Sequence, residues 1–170
     1  MHIRLATLAD LNDIMQVIND AKELLRNSNS LQWNGSDGYP NVQTFINDIN
    51  NEICYIACDE DKIVGTVSIQ KEKDLNYEAV PNIWNFTTYY SIHRIAVKKE
   101  YYHKGVAPLL IEFSESFAKE NNIDSIRVDT HEINKPMRRL LEKSNYVHVG
   151  TIYLLRTNID NERLAFEKKL

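Results

Sequence analysis

Ile92-His93-Arg94-Ile95-Ala96-Val97, the five residues Lys98 to Tyr102, and His103-Lys104-Gly105-Val106-Ala107-Pro108-Leu109-Leu110 form the stretch on which the reading of the fold depends. The first part has the apolar, β-branched character of a strand, and the last part opens a helix. A strand that passes through a small-residue turn straight into a helix leaves the first helical N–H groups without carbonyl partners. The aligned peptide dipoles add positive potential at the same spot, which suits a pyrophosphate or similar anion. Gly105 and Ala107 keep side chains out of the path of an approaching phosphate, and Pro108 fits the first helical turn, where its missing N–H costs little. Lys98, Lys99, His103 and Lys104 gather positive charge beside the turn. A Gly-x-Ala before a helix is also what an ordinary strand-to-helix turn looks like, so the flanking sequence decides.

Downstream, Leu109, Leu110, Phe113 and Phe117 share one face of a helix over about 106–121, with Glu112, Glu115 and Lys119 outward. A strand at 125–130, a short helix at 135–143 and strands near 147–155 and 163–168 follow. Upstream, His2 to Ala6 alternates as a strand. Thr7-Leu8-Ala9-Asp10 then has capping-box form, with Asp10 in place of the usual Glu. Leu11, Ile14, Met15, Ile18, Ala21 and Leu25 predict a helix from about 8 to 26, and Val42, Phe45, Ile46 and Ile49 a second over 41–51. Between them Asn27 to Pro40 is a polar loop carrying Trp33 and Tyr39. Ile53–Cys58 and Ile63–Ile69, separated by Asp59-Glu60-Asp61-Lys62, read as a hairpin of antiparallel neighbours. Lys71 to Tyr90 is a long, irregular, aromatic connection of the kind that carries function or disorder. The order is β α α β β β α β α β β.

The 170 residues suit one domain, here residues 1–170, with enough chain to bury its own core. Twenty basic against twenty-four acidic residues give a charge of −4, and the pI is about 5.7, without the basic excess of a nucleic-acid binder. No apolar run approaches a membrane span, and Asp10 and Asp13 stand where a signal peptide needs an apolar stretch, so a cytoplasmic protein without membrane contact is expected. Cys54 and Cys58, four apart in a strand, would lie roughly 13 Å apart, too far for a disulfide with each other. They read as reduced core residues. No further Cys or His pair sits at ligand spacing, so no metal site is expected.

Ala96 to Leu110, with Ile126-Arg127-Val128-Asp129-Thr130 and Asn134-Lys135-Pro136-Met137-Arg138-Arg139-Leu140-Leu141-Glu142-Lys143-Ser144-Asn145-Tyr146 downstream, resembles the GNAT superfamily of acetyl-CoA-dependent N-acetyltransferases over about residues 91–150. The element order on either side fits the same fold. The resemblance implies a single α/β (α+β) domain. Its mixed, mostly antiparallel central sheet has about seven strands, splayed between strands four and five and flanked by about four helices. It implies acetyl-CoA as co-substrate, with Ile95, Ala96 and Val97 along the pantetheine arm. Tyr102, His103, Lys104, Gly105, Val106, Ala107 and Pro108 would form the pyrophosphate loop, with Asn134 and Lys143 beside it. The loop departs at Tyr102, where the superfamily carries Arg or Gln, so phosphate binding leans on backbone N–H groups and on His103 and Lys104. Asn134 serves equally as the N-cap of the following helix.

The implied reaction is direct attack of a primary amine of a small molecule or peptide on the thioester. Many members use a Tyr to protonate the departing thiolate; this chain has Leu141 there, so Tyr146 and Tyr153 are the candidate substitutes. A thiol of pKa about 8.5 also leaves tolerably without an acid. For removing the amine proton, His93, Asp129, Thr130 and His131 lie near the splay. Imidazole titrates in the useful range, which singles out His93 and His131. The acceptor groove is expected between Gln32, Trp33 and Tyr39 on one side and Tyr77 to Tyr90, including Trp84 and Phe86, on the other, with aromatic faces able to cage a cation. Leu141 keeps a second reading alive, an acyl-CoA-binding sensor or scaffold without turnover. The acceptor's identity and pairing into a homodimer stay open.

Overall fold

The computed structural model describes residues 1–170. Strands β1 (His2–Leu5), β2 (Cys54–Asp59), β3 (Lys62–Gln70), β4 (Tyr89–Val97), β5 (Ser125–Thr130), β6 (Val147–Tyr153) and β7 (Glu162–Lys169) form one sheet in the order β1-β2-β3-β4-β5-β7-β6. Every neighbouring pair is antiparallel except β4 and β5, which are parallel. Helices α1 (Leu11–Asn27) and α2 (Val42–Asn50) cover one face. Helices α4 (Val106–Glu120) and α5 (Lys135–Lys143) flank the other.

Local chemistry sets the helix starts. The Asp10 carboxylate accepts the Thr7 N–H at 2.8 Å and the Thr7 hydroxyl at 2.9 Å, so residues 8–10 form a 3-10 turn and α1 begins at Leu11 rather than at 8. Ile14, Val17, Ile18, Ala21 and Leu25 form its buried stripe. At α2, Asn41 and Thr44 cap each other reciprocally, each side-chain oxygen accepting the other's backbone N–H. On the opposite face, a Cβ at Gly65 would stand 2.8 Å from Val106 and 3.1 Å from the Ala96 carbonyl oxygen. Glycine there lets α4 lie close on β3. Cys54 and Cys58 are free and buried among α1 and α2 side chains, and burial pushes the Cys54 thiol up to about 11.

The 71–90 connection is more ordered than its sequence suggests. It holds a one-turn helix, α3 (Leu75–Glu78), and a 3-10 turn at Pro81–Ile83, and it buries Tyr77 completely. Four residues are too few to print a helical period, which is why this fifth helix is absent from the sequence reading.

Two irregularities shape the middle of the sheet. Pairing of β4 with β5 runs from Tyr89↔Ser125 to Ile92↔Val128 and stops, so the strands diverge beyond Ile92 and the His93–Val97 edge has no partner on that side. Thr66 pairs with Ala96 and Ser68 with His93, so Arg94 and Ile95 together oppose the single residue Val67: β4 bulges there, with Arg94 at φ 52°. Regular alternation would send His93 and Arg94 to opposite faces. The bulge turns both toward the α1–α2 face, where His93 meets Asp74 and Arg94 meets Asp48.

Candidate active site

The divergence of β4 and β5 opens a cavity of about 1140 Å³ that reaches from the turn before α4 to the β6–β7 connection. At the first end, His103 and Gly105 both adopt left-handed backbone (φ 62° and 82°), so successive N–H groups converge. The N–H groups of His103, Gly105, Val106 and Ala107 donate to no acceptor in the protein. A Cβ at Gly105 would meet nothing within 4 Å, so the space over the turn is open. Ile95, Ala96, Val97, Tyr102, His103, Gly105, Val106, Ala107, Pro108, Asn134 and Lys143 all line the cavity. Arg139, one helical turn before Lys143, lines it too and adds a cation that the sequence reading did not single out. Lys104 does not line it; its ammonium lies over the Tyr101 ring, 4.9 Å from the centroid. Tyr102 is tied to α1 by its hydroxyl, which donates to the Asp20 carbonyl at 3.2 Å. Asn134 Oδ1 accepts the Met137 N–H at 3.3 Å, so it caps α5 as well as facing the cavity.

At the other end the polar groups come in pairs. His93 Nε2 stands 3.0 Å from Asp74 Oδ2, while Asp74 Oδ1 accepts the Asn76 N–H and side-chain amide at 2.8 and 2.7 Å. Burial works against ionising Asp74, but the hydrogen bond and charge of His93 and the two Asn76 donors outweigh it and hold the carboxyl below its ordinary value. An ionised Asp74 can only accept, so it matches a proton on Nε2, and Nδ1 makes no hydrogen bond in the protein. Beside it, half-buried Asp129 accepts the Tyr77 hydroxyl at 2.8 Å; desolvation raises its carboxyl above the ordinary value although His93 and Tyr77 oppose the rise. Asp74 and Tyr77 belong to the α3 turn, whose only sequence signal is an Asp two residues before Asn76, the spacing of an Asx cap.

Gln32, Trp33 and Tyr39 line this end. Gln32 Oε1 accepts the His131 N–H and Asn134 Nδ2, both at 3.4 Å, joining the loop after α1 to the start of α5. The expected aromatic cage is not assembled. Arg156 already lies over the Tyr39 ring at 4.1 Å. Trp84 is outside the cavity, with its indole N–H on the Tyr77 carbonyl and its face on Arg127.

Three further candidates stand away from the cavity. Both ring nitrogens of His131 are engaged, Nδ1 by the Ile133 N–H at 3.1 Å and Nε2 by Asp160 at 2.8 Å. Tyr146 is buried in the core beneath α4 and α5, and Tyr153 is half exposed on the edge strand. Leu141 is fully buried in that same core. No helix is long and apolar enough to cross a membrane.

A family model described as the acetyltransferase (GNAT) family matches residues 18–146. Among solved structures, a GNAT-family acetyltransferase from Streptococcus agalactiae is 27% identical, with 99% of this chain and 95% of that one covered and a TM-score of 0.85. A ribosomal-protein-alanine N-acetyltransferase from Brucella melitensis is 18% identical over all of both chains, TM-score 0.73. The paia N-acetyltransferase from Thermoplasma acidophilum, in complex with coenzyme A, is 16% identical over 99% and 98%, TM-score 0.71. At those identities the last two share the fold. No curated protein sequence matches the chain.

Proposed function

Because the chain belongs to the acetyltransferase (GNAT) family, we propose that it moves an acetyl group from acetyl-CoA to a primary amine of a small molecule or peptide, with His93 taking the amine's proton. The observation that carries this reading is the continuity of one cavity from the open N–H groups at His103–Ala107 to the His93–Asp74 pair. The residues present fit acetyl-CoA. The left-handed turn offers donors and a vacant approach over Gly105 for the pyrophosphate, and the unpaired His93–Val97 edge offers backbone groups to the pantetheine amides. When bound, it supplies an activated acyl thioester.

The chain's own groups then divide the work. The Nδ1 lone pair of His93 accepts a proton from the amine nitrogen as that nitrogen bonds to the acetyl carbon and the carbon–sulfur bond breaks. Asp74 holds the imidazole in the required tautomer and stabilises the imidazolium that results. Backbone N–H groups on the free β4 edge are placed to donate to the carbonyl oxygen as it gains charge. Sulfur departs as a thiolate, tolerable for a thiol of pKa about 8.5, so Leu141 is no obstacle and no protein–acyl intermediate is needed.

The test is thiol release from acetyl-CoA across amino acids, polyamines, aminoglycosides and peptide N-termini, with product masses checked for the added acetyl group. Release that requires both protein and amine is expected. Tight acetyl-CoA binding with no release from any amine would assign the chain to the sensor class instead.

A further inference from the structure

We infer that the acceptor carries a carboxylate beside its primary amine, and that Arg163 receives that carboxylate; the inference rests on the acetyl-transfer reading and names its substrate class.

Three arginines have largely buried side chains. Two are fully engaged. Arg94 is bidentate to Asp48 and also donates to the Tyr39 hydroxyl. Arg127 donates to Glu167 and to the Phe86 carbonyl, and lies between the Trp84 and Tyr89 rings.

Arg163, with a side chain only 4% exposed, is different. Its Nη1 donates to the carbonyls of Asp160 and Glu162, both at 2.7 Å, and these are neutral acceptors. Nη2 lies 3.9 Å from Asp160 Oδ2, beyond hydrogen-bond distance, and that carboxylate is already held by His131. Nε and the outer face of Nη2 have no acceptor in the protein. Neither nitrogen is among the fully enclosed unpartnered atoms, and Arg163 lines the cavity. A guanidinium fixed on one side by two carbonyls, with its remaining donors open to a cavity, is arranged for a two-point acceptor brought by a ligand. A carboxylate matches that fork in charge and shape.

Register places Arg163 correctly for this task. Asp129 pairs with Ala165, so Arg163 lies on the same face, two residues along β7 from that partner, a diagonal of roughly 8 Å between backbones. Asp129 is within electrostatic reach of both His93 and Arg163. The amine end of the site therefore holds the Asp74 carboxylate and the His93 imidazole, and the end beyond Asp129 presents the Arg163 guanidinium, while Arg156, which lines the cavity too, is already bound to Asp37 at 2.8 Å. A molecule with an ammonium and a carboxylate a few bonds apart, as in an amino acid, spans the two. A second ammonium in that place, as in a polyamine, meets the Arg163 guanidinium instead of an acceptor.

Matched triples of leucine, methionine, phenylalanine, lysine and glutamate, each as free acid, carboxamide and decarboxylated amine, test this in two assays. These are acetylation kinetics, and calorimetric binding to the CoA-loaded protein. The free acid of at least one triple should exceed its carboxamide and amine by about 10²-fold or more in kcat/KM and in affinity. In Arg163→Gln that ratio should collapse toward one, chiefly through KM, and Arg163→Lys should restore part of it. Acetylation or binding that ignores the carboxylate, or a ratio unchanged in Arg163→Gln, overturns the inference. Should Arg163→Gln not fold, the wild-type ratios decide alone. Carboxylate-dependent binding without transfer would sink the catalytic reading and leave the Arg163 assignment standing.

Discussion

Arg94 donates through Nε and Nη2 to the two oxygens of Asp48, at 2.6 and 3.0 Å, and this largely enclosed pair anchors the bulge in β4 just past its last pairing with β5. Ser68, on the neighbouring strand, donates to the same carboxylate at 2.6 Å, so the anchor joins α2, β3 and the bulge. A non-glycine residue at φ 52° persists only where its surroundings over-determine it. Asp48→Ala leaves a buried guanidinium uncompensated and should destabilise the fold by about 3–5 kcal/mol in urea unfolding. Acetyl-CoA affinity should fall as well, because the bulge sets the free edge of β4.

His93→Gln removes the proton acceptor while keeping a polar side chain beside Asp74. The expected loss is about 10²- to 10⁴-fold in kcat with acetyl-CoA affinity retained, read by steady-state kinetics and calorimetry. Asp74→Asn leaves His93 in place without its tautomer-fixing anion and should cost less. A variant at His93 with full kcat would move the base elsewhere.

Gly105 is needed for its backbone and for the room above it. Gly105→Glu puts a side chain and a negative charge into the open turn, and calorimetry should show acetyl-CoA binding lost. Thermal unfolding should shift only by the strain of an L-residue in left-handed backbone, about 1–2 kcal/mol. Retained affinity would show that the phosphate lies elsewhere.

Asp129 gives the fold a pH signature. Its carboxyl is raised by burial, so the folded state favours the neutral form. Below the ordinary carboxylate value the group is protonated folded and unfolded and imposes no penalty. As pH rises through the ordinary and then the raised value, ionisation destabilises the folded state. Asp129→Asn should therefore raise Tm at pH 7, by about 2–4 °C for each kcal/mol relieved, with the gain vanishing below about pH 4. The amide oxygen can still accept from Tyr77. Scanning calorimetry from pH 3 to 8 measures it, and an equal gain at every pH would contradict the burial argument.

The strand-turn-helix around Gly105 was legible because it is local: composition and spacing alone determine where its N–H groups point. The acceptor end was not, because its parts come from widely separated places in the chain. Asp74 and Tyr77 arrive on a single helical turn, too short to leave a period. Arg94 reaches the same face as His93 only through a bulge, and a bulge breaks the alternation by which strand faces are read. Arg163 is one ordinary residue of β7 until its register against Asp129 is known. His131 and Tyr146 looked suitable by residue type, and it was packing that withdrew them, one into a hydrogen bond with Asp160 and one into the core.

Transfer itself is followed most directly with acetyl-CoA labelled in the acetyl carbon, watching by NMR for the label to appear in an amide. Amide signal should grow in step with free thiol for the wild-type protein and a suitable amine. The signal should be lower by about 10² or more in His93→Gln, with no labelled protein at any time. Label that stays on acetyl-CoA with every amine, or that accumulates on the protein before the amide forms, would contradict it.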